Sequence, residues 1–129
     1  MSLGAPVAVV DAFDLPDWLG LDDVTWSSAS RARGSCRVAG ELRAGAERMP
    51  CDLLAVDQAY PQPVVEERWR REAHQAWTYD QVLLVEYGGR LTLAVPGTVF
   101  TADLVVEAIG RLSKAVGVRP DRFLVALRP

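Results

Sequence analysis

Short apolar runs and alternating stretches, punctuated by glycine and proline, divide this chain into its elements. Pro6 to Phe13 is apolar and valine-rich and predicts a strand. Asp14 to Asp23 contains Pro16 and Gly20 and reads as a loop or a single helical turn holding Trp18 and Leu21. Val24 to Ala29 and Ser35 to Arg43 read as two strands joined around Arg33-Gly34. In the second, Cys36, Val38, Gly40 and Leu42 alternate with Arg37, Glu41 and Arg43, so one face is wet. After Ala44-Gly45-Ala46 the chain returns as a strand from Pro50 to Gln58. Its run Leu53 to Val56 is apolar without alternation, so both faces should be covered.

The helix expected from Pro63 to Trp77 opens on a proline, whose missing N–H has no partner in a first turn anyway. Glu66 and Glu67 suit the positive end of the helix dipole, and Val65, Trp69, Ala73 and Ala76 form its apolar stripe. Gln81 to Arg90 predicts a hairpin turning at Gly88-Gly89, with Leu91 to Val95 as the return strand. Pro96-Gly97 ends it. Thr101 is placed to cap a second helix that runs to Val116, with Phe100 facing Val105 across the cap. Val105, Ala108, Ile109, Leu112 and Val116 point inward, and Gly117 stops the helix. Arg122 to Leu127 closes the chain as a strand. The expectation is one α+β domain over residues 1–129, in the order β-β-β-β-α-β-β-α-β. Its sheet should be mainly antiparallel, of about six or seven strands, with two helices packed on one face.

That arrangement leaves a sheet face over. Leu53 to Val56, Val82 to Val85 and Phe123 to Leu127 are apolar on both sides, and two helices on one face cannot cover the other. Either the loop with Trp18 and Leu21 covers it or a second chain does, and a homodimer is the commonest solution. Of the four tryptophans, Trp69 belongs to the core stripe, while Trp18 and Trp26 suit core or interface equally.

Charge changes the picture in one place. Residues 1–30 hold Asp11, Asp14, Asp17, Asp22 and Asp23 and no Lys or Arg, whereas all 14 basic residues lie further on. The stretch is either a solvated turn region or an acidic edge that meets an arginine-bearing partner. A net charge of −3 and the lack of a basic stripe interleaved with aromatics argue against a nucleic-acid partner. No apolar run approaches the length of a membrane span and no secretory pattern opens the chain, which reads as cytoplasmic. Arginine supplies 13 of the 14 basic residues and alanine is abundant, which points to a GC-rich bacterial genome.

Candidate chemistry is sparse. His74, the only histidine, and Asp57, at the end of its strand, are weak acid/base candidates. Cys51 is a weak nucleophile candidate beside His74. Tyr60 and Tyr79 are weak ligand contacts near that pair, and Tyr87 and Arg90 flank the Gly88-Gly89 turn together with Glu86. Each is better explained as a core, cap or surface residue. One histidine and two cysteines do not make the usual zinc site, no glycine-rich phosphate loop joins a strand to a helix, and no cofactor is expected.

From Val24 to Val116 the order three strands, helix, two strands, helix resembles that of type III secretion chaperone-like domains. The resemblance implies a small acidic protein that dimerises and holds partner segments, and it singles out no binding residue. Surplus apolar sheet surface without a recognisable site makes the leading expectation a non-catalytic domain that self-associates and binds a protein or peptide. The alternative is a small-molecule-binding protein or enzyme with a pocket near Asp57, Tyr60, His74 and Tyr79.

Overall fold

A computed structural model describes residues 7–28, 37–56, 67–97 and 99–126. The elements follow in the order β1 (Val7–Val9), α1 (Trp18–Leu21), β2 (Val24–Ser27), β3 (Arg37–Val38), β4 (Glu41–Ala44), β5 (Glu47–Ala55), α2 (Glu67–Thr78), β6 (Leu83–Tyr87), β7 (Arg90–Val95), α3 (Ala102–Ala115) and β8 (Phe123–Ala126). Short 3-10 turns lie at Ala12–Asp14 and Pro120–Arg122. The protein is α+β, and among the described residues eight strands form one mixed, mostly antiparallel sheet in the order β1-β6-β7-β5-β4-β2-β8, with β3 also on β5. Two pairs are parallel, β5 with β7 and β2 with β8.

Local chemistry accounts for the turns and caps. Gly88 and Gly89 take φ of 62° and 76°, the two positive values that let a two-residue turn follow the twist of β6 and β7. Thr101 accepts the N–H of Leu104 and caps α3, whose Val105, Ala108, Ile109 and Leu112 are buried. The expected first strand is shorter than its apolar run, because Asp11 caps a 3-10 turn by accepting the N–H of Phe13 at 2.9 Å. β2 pairs antiparallel with β4, Thr25 opposite Arg43 and Ser27 opposite Glu41, so the two strands expected at Val24 to Ala29 and Ser35 to Arg43 do lie side by side. The turn around Arg33-Gly34 and the start of the expected 63–77 helix lie outside the described residues.

Strand alternation separates two apolar clusters on the two sides of the sheet. Cys51, Leu53, Ala55, Leu91, Leu93 and Val95 face Val105, Ala108, Ile109 and Leu112 of α3 and Leu19 of α1. Leu54, Val56, Val85, Tyr87 and Ala94 face Trp69 and Ala73 of α2. The two long helices therefore take opposite faces, not one. The reason is in β5 and β6 themselves: a strand apolar on both sides needs a cover on each, and the chain supplies one helix per side. The second sheet face that called for a partner is thus covered over β5, β6 and β7 by α2. Trp26 is fully enclosed in the α3-side core and offers no surface to another chain, while Trp18 is half-buried against the same core.

Candidate functional site: an arginine-lined sheet face around Asp52

The second face is covered only in part. Over β4, β2, β8 and the first half of β5, no helix packs among the described residues. Register sets one row across it, Leu124–Thr25–Arg43–Arg48, and beside it Ala126–Ser27–Glu41–Pro50. Leu124 is 58% exposed, and the Arg43 and Arg48 side chains are 50% and 62% exposed.

Where this bare half meets the half under α2 sits Asp52, a carboxylate with no exposure at all. Its place follows from a local exchange of partners. Gly40 and Cys51 face each other across β3/β4 and β5, and the N–H of Cys51 donates to the carbonyl of Gly40 at 3.0 Å. The return bond is replaced. The Gly40 N–H donates to Asp52 Oδ1 at 3.1 Å, and the carbonyl of Cys51 accepts from Trp26 Nε1 at 2.8 Å. The ladder is interrupted between Val38 and Glu41, yet the register is the same on either side, Val38 opposite Leu53 and Glu41 opposite Pro50.

The remaining capacity of Asp52 is taken by arginines. Arg90 meets it with two nitrogens, Nε to Oδ2 at 2.8 Å and Nη2 to Oδ1 at 3.1 Å, the fork geometry that makes arginine–carboxylate pairs strong. The Arg37 Nη2 lies 3.5 Å from Oδ2, and its guanidinium stands 5.1 Å above the ring of Tyr87. The hydrogen bond to Asp52 also raises the pKa of Arg90 above its ordinary value. On the bare half Glu41 plays the parallel part. It accepts from Arg43 Nε at 2.7 Å with Arg48 at 4.0 Å, and the Arg43 hydrogen bond holds its carboxyl below the usual range. Four guanidiniums share two carboxylates on one sheet face. Each of the four side chains is between 41% and 62% exposed.

The residues expected from sequence fall in three places. Tyr87 and Arg90 do come together, with Arg37 and Asp52. Asp57 and Tyr60 lie outside the described residues. Cys51 is fully buried on the α3 side, where burial pushes its thiol pKa well up, while His74 is exposed on α2, which covers the other side. The sheet separates the two, and burial favours the protonated thiol of Cys51 over the reactive thiolate. Tyr79 is 68% exposed and lines an open groove of about 590 Å³ with Val10, Asp11, Arg111 and Lys114; His74 is not part of its wall. The groove's cations are already engaged. Arg111 lies 3.5 Å from the ring centroid of Trp77 and pairs with Glu107, and Lys114 pairs with Asp80.

Asp52 itself was missed in the sequence. The available signal was a lone carboxylate one residue before the apolar run Leu53 to Val56, in a strand that needs both faces covered. Among the described residues no group of three or more His, Cys, Asp or Glu side chains is placed to hold a metal ion. Nor is any described helix long and apolar enough to cross a membrane. Compared with known proteins, the chain matches no family model, no curated protein and no solved structure.

Proposed function

We propose that this protein is a binding module, without catalysis of its own, that receives an acidic segment of a protein partner on the bare, arginine-lined half of its sheet. The observation that carries the reading is the sharing of two carboxylates, Glu41 and Asp52, among Arg37, Arg43, Arg48 and Arg90 on one face. Each guanidinium keeps donors beyond those its carboxylate takes, and Arg43 and Arg90 are held in place by hydrogen bonds to Glu41 and Asp52. Held, half-exposed guanidiniums suit partner carboxylates, which they bind with two parallel bonds.

A nucleic-acid partner fits less well. Binding a phosphate backbone calls for a broad unbroken positive field, and base stacking calls for exposed rings. Glu41 interrupts the field, and Tyr87, the ring beside these arginines, is buried beneath Arg37.

The test is fluorescence anisotropy with a labelled peptide alternating Asp and Phe, beside the same peptide carrying Lys for Asp and a labelled single-stranded oligonucleotide. The Asp peptide should bind, weaken with salt, and lose its binding to an Arg43→Glu/Arg48→Glu variant. Equal binding of the Lys peptide, or tighter binding of the oligonucleotide, would overturn the reading.

A further inference from the structure

Resting on that reading, we infer that one acidic segment received by the arginine-lined face is the Asp11–Asp23 segment of a second copy of this chain, so that the protein associates head to tail. The two surfaces are of opposite charge and lie on opposite sides of the sheet. Val10, Ala12, Leu15 and Trp18 anchor the segment on the α3-side core, whereas Arg37, Arg43, Arg48 and Arg90 project from the other side. Among the described residues none of these arginines pairs with an aspartate of the segment within one chain. Between copies they can meet.

The segment carries more than charge. Phe13 is 96% exposed, the most exposed large apolar side chain among the described residues, and it stands between Asp11 and Asp14. The Asp11 carboxylate holds it there by accepting its N–H, so the ring is presented on a capped turn and not on a loose strand. Asp14, Asp17 and Asp22 are exposed and form no ion pair among the described residues. A ring flanked by carboxylates matches what the facing surface offers. The stems of Arg43 and Arg48 with Leu124 give apolar footing, and the guanidiniums give both carboxylate partners and a cation to lie over the ring. A contact between two different patches of identical chains is heterologous, and it continues into a ring or an open chain of copies instead of stopping at a twofold dimer.

The experiment is sedimentation velocity over a concentration series with the full chain and two charge-reversed variants, Arg43→Glu/Arg48→Glu and Asp14→Arg/Asp17→Arg/Asp22→Arg. All five positions are exposed, and circular dichroism will establish that each variant is folded. The wild type should gain mass with concentration at low salt and lose it in roughly 0.5 M sodium chloride, where screening acts within a few ångströms. Each variant alone should stay monomeric, because it carries one sign on both surfaces. Mixing the two in equal amounts should restore association, since every contact in the mixture is then between opposite signs. Phe13→Ser should weaken wild-type association without altering its salt dependence. A wild type that stays monomeric at every concentration while still binding the Asp–Phe peptide overturns this inference and leaves the acidic-segment reading standing. Failure of both takes down both. Association that survives either reversal, or a mass that stops at the dimer in all mixtures, also overturns it.

Discussion

Trp26 occupies the space that a side chain on Gly40 would need. A Cβ built on Gly40 would lie 2.4 Å from Cε2 and Cζ2 of the indole, a distance no real contact tolerates. The ring cannot swing away. It is fully buried, and its Nε1 is bonded to the carbonyl of Cys51. Gly40→Ala should therefore cost about 1–3 kcal/mol, the range for forcing extra volume into a packed core. A urea titration that leaves the midpoint unchanged would show that the indole does not lie there.

Gly110 is the opposite case. It sits in the interior of α3 with open space where its Cβ would go and without a positive φ. Gly110→Ala should stabilise the protein by about 0.5–1 kcal/mol, through helix propensity and a less flexible unfolded chain. The same titration measures it, and a loss of stability would mean that the outer side of α3 is occupied.

The Asp52–Arg90 pair should respond asymmetrically. Arg90 is 41% exposed and can turn to water when its partner is lost, whereas Asp52 is fully buried and cannot. Arg90→Ala should cost about 2–3 kcal/mol because it leaves a buried carboxylate with Arg37 and the Gly40 N–H alone. Adding Asp52→Asn removes the charge and keeps an acceptor for Gly40. The double variant should then recover about 1 kcal/mol relative to the sum of the single losses. Simple additivity in the denaturation free energies would argue that the two side chains act independently.

Cys51 predicts an alkaline weakening. Burial raises its folded pKa, so the unfolded chain gives up the thiol proton first as pH rises. The stabilisation is whole below the unfolded thiol range, near about 8.5, and falls above it by up to about 1.4 kcal/mol per pH unit toward the raised folded value. In a Cys36→Ser background the urea midpoint should drop between neutral and strongly alkaline pH, and Cys51→Ala should flatten that drop. The native thiol should also resist a disulfide reagent until the protein is unfolded. Rapid labelling of folded protein would restore Cys51 as a nucleophile.

What the sequence by itself determined lies within a few residues of its own signals. The Gly88-Gly89 turn, the Thr101 cap, the inward stripe of α3 and the wet alternation through Arg37, Glu41 and Arg43 are all set by neighbours in the chain. Each depends on a local backbone conformation or a side-chain period that burial then reads out. Strand order and the side taken by each helix were decided only in three dimensions. Leu53 to Val56 requires cover on both faces without saying which helix lies on which, and the parallel pairing of Val24 with Phe123 joins residues nearly a chain length apart. The arginine face belongs to the same class. Asp52 meets Arg90 only because β7 lies beside β5, and Gly40 frees its N–H for that carboxylate only because Trp26, from β2, has taken the carbonyl opposite. Long-range burial and backbone hydrogen bonds fix those meetings, and neither leaves a mark on the adjacent residues.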